Sequence, residues 1–206
     1  MEPLRLVAYS DYLCPWCYNG SVRLQRIEEE FAGRVELVFR SYLLRPQPGQ
    51  RRDLERFRAY TRSWERPAAE ADAGRFQVWQ GEAGPPSHSV PPHLVAKAAA
   101  RIGDDAFRTV HERLLAAYFA ENQDISDDAT LARLWKEAGL PDSGFEERSD
   151  PALLAQVLEE HNDAIEQGIN GVPTVLIDGQ DVPITGAHPF ELYRRWLTRV
   201  LDGALG

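Results

Sequence analysis

With 206 residues, 43% hydrophobic and 27% charged, the chain has apolar material for one generous domain or for a small domain carrying a large insertion, and too much to stay largely disordered. A formal net charge of -9 leaves no basic excess to neutralise phosphates, which argues against a nucleic-acid partner. No apolar stretch reaches membrane-spanning length, and the start, Met1-Glu2-Pro3-Leu4-Arg5-Leu6, lacks the basic segment, apolar run and cleavage site of a secretory signal, so the chain is expected to be cytoplasmic.

Leu4 to Ser10 is a short, mostly apolar run that reads as a buried strand. Asp11-Tyr12-Leu13-Cys14-Pro15-Trp16-Cys17-Tyr18 follows at once and holds both cysteines of the chain. Pro15 suits the first turn of a helix, where its fixed φ fits and its missing N–H had no intrahelical partner. Cys17, Ser21, Leu24, Glu28 and Phe31 then recur at helical spacing, and Gly33 is the stop. Val35 to Leu44 is the next strand, ended by Arg45-Pro46-Gln47-Pro48-Gly49. Strand, helix, strand implies a parallel pair with a right-handed crossover.

From residue 51 to 150 the pattern is almost entirely helical and reads as an inserted subdomain, with 1–50 and 151–206 forming the domain it interrupts. Gly84 to Pro92 should be an extended loop, His93 to Ile102 a helix stopped by Gly103, and Asp104 the cap of a helix reaching Glu121. Asp127 or Asp128 starts another, with Leu131, Leu134 and Trp135 inward. Trp64, Phe76, Val78 and Trp79 read more readily as core than as a lid. Pro151 opens a helix through Gln167. Thr174–Ile177 and Val182–Thr185 flank an Asp178-Gly179 turn as an antiparallel hairpin, with Pro183 confining the second strand to an edge, and Phe190–Leu201 is a closing amphipathic helix.

Two thiols separated by two residues close so small a ring that a bridge between them removes little unfolded-state entropy, so a stabilising role explains them poorly. At a helix N-terminus the first is placed for thiolate chemistry. The rival is zinc, but four N/S ligands would require two of His88, His93, His111, His161 and His188 at irregular spacing, and no metal is expected.

Three stretches carry a resemblance over the whole chain: Asp11-x-x-Cys14-Pro15-Trp16-Cys17-Tyr18, Gly171-Val172-Pro173-Thr174 at the hairpin, and Gly186-Ala187-His188-Pro189. Together they resemble the DsbA-like thiol oxidoreductases, in particular the FrnE-type subgroup related to 2-hydroxychromene-2-carboxylate isomerase and the kappa-class glutathione transferases. The resemblance implies an α/β thioredoxin fold with a large all-helical insertion, acting on protein or small-molecule thiols and disulfides. No cofactor is implied beyond glutathione as a co-substrate, and the oligomeric state is left open. The alternative is a glutathione-dependent isomerase or transferase of the same fold, which carries Ser or Thr where Cys14 stands.

By this resemblance Cys14 is the exposed attacking thiolate and Cys17 the resolving thiol. Pro173 follows a cis peptide bond and lies against the pair, with the Val172 backbone offering hydrogen bonds to an extended substrate. Thr185, Gly186 and Ala187 line the far side of the groove. Pro15 and Trp16 tune the couple, making it a milder oxidant than relatives with His at the second spacer position, and Trp16 is a substrate platform or a packing residue. His188 is a proton acceptor or merely a helix-start residue. One departure stands out: thioredoxins hold a buried carboxylate on the first strand, and the equivalent residue is Ala8. Asp11 is either its substitute or a backbone cap.

Overall fold

The computed structural model describes residues 2–49, 53–82, 84–180 and 182–203. The first strand, β1 (Leu4–Ser10), is buried on both faces because apolar residues occupy both alternations. Leu6 and Ala8 pack with Leu24, Ile27, Tyr193 and Leu197, whereas Val7 and Tyr9 pack with Tyr42, Ala164 and Leu176. The first group comes from α1 (Pro15–Glu30) and α9 (Phe190–Leu201), which therefore cover one face. β1 pairs parallel with β2 (Val35–Ser41) and antiparallel with β3 (Thr174–Ile177), and β3 pairs with the two-residue edge strand β4 (Ile184–Thr185). The sheet order is β2-β1-β3-β4. The expected strand Val182–Thr185 is shorter because Pro183 has no N–H to give a ladder; Asp181 lies outside the described residues.

Between β2 and β3 run α2 (Leu54–Thr61), α3 (Glu65–Ala68), α4 (Val90–Ile102), α5 (Asp104–Phe119), α6 (Asp128–Glu137), α7 (Asp142–Glu146) and α8 (Pro151–Glu166). Trp64 and Trp79 are core, meeting Phe57 and Tyr118 edge-on or tilted. Two boundaries differ from expectation. α4 starts at Val90 rather than His93, because Pro91 and Pro92 sit in the first turn, where no backbone donor is needed. Gly103 takes the N-cap position of α5, so Asp104 is its first helical residue and makes no side-chain cap bond; that helix ends at Phe119, two residues short of Glu121. α8 packs on both β2 and α4, tying the helical layer to the sheet.

Candidate functional site: the Cys14–Cys17 dithiol

β1 delivers the chain to the start of α1, and Cys14 is the N-cap residue, with extended φ -96° and ψ 113°. Its Sγ accepts the Cys17 amide at 3.2 Å and so takes up one of the donors that a helix N-terminus leaves unpaired. The thiol donates to the Val172 carbonyl at 3.4 Å. Both cysteines are free. The expectation that Cys14 is exposed needs correction: it is only 5% exposed, because the segment before Pro173 lies over its sulfur. Pro15 and Trp16, half-buried, form the adjoining rim.

Cys17 lies one turn in, buried at 1% exposure. Burial first, and then the neighbouring Cys14, push its thiol well above the ordinary value, against a smaller opposing influence from the Asp11 backbone and the Ser10 hydroxyl. The two thiols are thus unlike: one is held at the helix mouth by an amide, the other is kept protonated in the interior.

Opposite stands Pro173, after a cis Val172–Pro173 peptide. It packs so closely on α1 that a Cβ at Gly20 would meet its Cγ at 3.1 Å. The Pro173 carbonyl accepts the Gly186 amide at 2.8 Å, which draws the Gly186–His188 loop beside the same mouth. Gly186 has φ +106°, a conformation glycine adopts without strain. The carbonyls of Ala187 and His188 accept from Arg23 at 2.8 and 3.1 Å, and Tyr193 donates to the Gly186 carbonyl. The His188 ring is engaged within its own turn, where Nε2 donates to Thr185 O at 3.0 Å.

Asp11 is wholly buried and is not the helix cap, a place Cys14 takes. Its carboxylate instead receives the amides of Leu13 at 2.6 Å and Leu44 at 2.7 Å, and the Ser89 hydroxyl. It clamps the turn before the dithiol to the segment that follows β2 and to the residue before α4. Burial outweighs these donors and raises its pKa to about 6. Next to it, Tyr12 and Ser21 hold His111 by its Nδ1 and Nε2, both at 2.8 Å, and burial lowers that imidazole to about 3. Ala8 sits in the core.

Sequence reasoning missed Arg23, Ser10, Ser89 and Gly20. Arg23 alone left a signal, as the first charged residue after the motif. Among the described residues no group of three or more His, Cys, Asp or Glu side chains is placed to hold a metal ion.

A sheet with a parallel β1–β2 pair, a cysteine capping the intervening helix and a proline facing it define a thioredoxin-fold protein with a dithiol site. Residues 5–197 match the DSBA-like thioredoxin domain, and the chain belongs to that family. Its fold is that of the DsbA-like thiol–disulfide oxidoreductases with a helical insertion. A candidate protein disulfide isomerase from Nitrosomonas europaea superposes with a TM-score of 0.84 at 17% identity, over 98% of this chain and 99% of that one. A probable DsbA oxidoreductase from Streptomyces coelicolor is 26% identical, with a TM-score of 0.75 over 97% and 90% of the two chains. The cytosolic disulfide reductase DsbM from Pseudomonas aeruginosa is 21% identical, with a TM-score of 0.75 over 96% and 100%.

Proposed function

We propose that the protein is a cytoplasmic thiol–disulfide oxidoreductase of the FrnE type, in which Cys14 attacks and Cys17 resolves. The observation that carries this is the Cys14 sulfur held between the Cys17 amide and the Val172 carbonyl, with a second thiol one turn behind it. Cys14 thiolate attacks a substrate disulfide and displaces one substrate thiolate, leaving a mixed disulfide. Cys17 loses its proton and attacks the Cys14 sulfur. The second substrate sulfur departs with the electron pair of the broken bond, so two electrons pass to the substrate and the Cys14–Cys17 disulfide remains.

Substrates are protein or small-molecule disulfides, approached across Trp16, Val172, Pro173, Gly186 and Ala187. Glutathione is the co-substrate that restores the dithiol, two molecules giving one glutathione disulfide. In support, DsbM is described as cytosolic and has also been solved with glutathione. Insulin reduction by dithiothreitol tests the reading with wild type, Cys14→Ser and Cys17→Ser. Only wild type should turn over, and Cys17→Ser should accumulate a mixed disulfide visible by mass spectrometry. Full turnover by Cys14→Ser overturns it.

A further inference from the structure

The chain contains two Asn-Gly pairs, Asn19-Gly20 and Asn170-Gly171. In such a pair the amide nitrogen after the asparagine can attack the side-chain carbonyl with little hindrance, because glycine has no Cβ to shield that nitrogen and leaves the backbone free to turn toward it. The fold treats the two pairs in opposite ways. Asn19 is 0% exposed inside α1. Its Nδ2 donates to Pro67 O at 2.8 Å and its Oδ1 accepts the Gly74 amide at 2.9 Å, so both ends of the side-chain amide are held. The Gly20 amide lies within the helical ladder, which fixes the backbone around it.

Asn170 has none of this restraint. It is exposed and lies outside every helix and strand, and neither its side chain nor the Gly171 amide has a hydrogen-bond partner among the described residues. A Cβ at Gly171 would meet nothing within 4 Å, so the space around the pair is open. The chain on either side is fixed. Ile169 is buried, with its amide on Ala164 O at 2.9 Å, and Gly171 O accepts the Thr174 hydroxyl at 2.7 Å. Next come Val172, whose carbonyl lies 3.4 Å from the Cys14 sulfur, and Pro173, packed on Gly20. A change of main-chain length at residue 170 can be absorbed only in the short segment that covers the nucleophile.

We propose that Asn170 is a self-modification site, at which deamidation to isoaspartate lengthens the backbone and moves Val172 off Cys14, retiring the dithiol without altering either thiol. The Gly171 nitrogen gives its proton to solvent base and bonds to Asn170 Cγ. The Cγ–Nδ2 bond breaks and ammonia leaves, closing a succinimide ring. Water then opens the ring at one of its two carbonyls. Opening at the main-chain carbonyl gives isoaspartate, in which the chain runs through Cγ, and opening at Cγ gives aspartate. The net reaction consumes one water, releases one ammonia and exchanges no electrons.

Isoaspartate inserts one carbon into the main chain, about 1.5 Å of path. Misplacing a reacting group by about 1 Å can cost roughly 10²-fold in rate. Aspartate adds the same charge but keeps the path length, so the two products separate length from charge. The effect on activity rests on the oxidoreductase reading; the occurrence of the modification does not.

The reduced protein is aged in mildly alkaline buffer and sampled for peptide mapping by mass spectrometry and for insulin reduction. Methyl transfer by an isoaspartyl methyltransferase, which labels isoaspartate and not aspartate, identifies the product. Isoaspartate should accumulate at residue 170 and not at residue 19, and the isoaspartyl fraction should reduce insulin about tenfold or more slowly. Asn170→Gln, and Gly171→Ala with open space for its Cβ, should start near wild-type activity and keep it on ageing. Asn170→Asp should stay within about threefold of wild type, because an exposed charge is screened. An unmodified Asn170, or equal modification at Asn19, overturns the site. Isoaspartate at residue 170 with undiminished insulin reduction, or a tenfold loss in Asn170→Asp, overturns the displacement of Val172. Fresh wild type that does not reduce insulin overturns the oxidoreductase reading instead, and the peptide map decides the site by itself.

Discussion

Asp11→Asn isolates what a buried carboxylate does beside the dithiol. Asparagine keeps one acceptor oxygen for two amide donors, Leu13 and Leu44, so one of them must face an NH₂ group, at a cost of about 1–3 kcal/mol. Against that, Asp11 itself is held with a pKa raised from 3.8 to about 6 by burial, equivalent to about 3 kcal/mol. Because the folded-state value is raised, the stability this group contributes is fully present below about pH 4 and is lost as pH rises through 6. Asparagine does not titrate. Wild type should therefore exceed the variant most at acid pH, with the gap narrowing by about 2 kcal/mol between pH 4.5 and 7.5, since about 1 kcal/mol is already lost by pH 4.5, and bringing the two near parity. Urea unfolding of the reduced proteins at pH 4.5, 6 and 7.5, followed by tryptophan fluorescence, measures the gap. A gap that is flat or widens with pH refutes the argument, since it would mean that the three donors outweigh burial.

Gly20→Ala gains about 1 kcal/mol of helix propensity but forces a Cβ to 3.1 and 3.3 Å from Pro173, for which overpacking costs about 1–3 kcal/mol. The net loss by thermal unfolding should be about 0–2 kcal/mol, with a larger fall in insulin reduction, because moving Pro173 moves Val172 from the Cys14 sulfur. A stabilised variant with full turnover would show that Pro173 gives way freely. Arg23→Lys replaces a fork that reaches the Ala187 and His188 carbonyls with one nitrogen and Ala71 O and Glu70 with the other. A single ammonium cannot span both loops, so urea unfolding should show a loss of about 2–4 kcal/mol. A loss below about 0.5 kcal/mol would refute the bracing role.

What the sequence disclosed was local. The apolar run Leu4–Ser10, Pro15 in the first turn and the two-residue spacing of the cysteines are each decided within a few residues, and all three reappear in β1 and α1. Resemblance supplied Pro173 and its neighbours. What stayed hidden depended on distant partners. Cys14 is covered by Val172, 158 positions away, so its burial leaves no mark near the motif. Asp11 read more readily as a backbone cap than as the missing carboxylate, and its actual place stayed hidden because the Leu44 and Ser89 donors come from other segments. α1 buries Tyr18, Asn19, Gly20, Ser21 and Arg23 as well as its apolar residues, so periodicity could not single out a core face.

Those distant partners also bear on the division of the chain at residues 51 and 150. The opening of α1 and the turn before it are bonded, residue after residue, to the segment that interrupts the thioredoxin fold. Asp11 takes the Ser89 hydroxyl, Tyr12 and Ser21 hold His111, Asn19 donates to Pro67 O and accepts the Gly74 amide, and Arg23 reaches Glu70 and Ala71. Removing the helices would leave these buried groups without partners beside the dithiol, and each buried polar group left unsatisfied costs about 1–3 kcal/mol, so the total would rival the whole stability of a domain. The insertion is therefore an insertion in sequence order only. In energy it is the back wall of the dithiol site, which is why the cavity behind Ser10 is lined from β1, β2, α4 and α5 together.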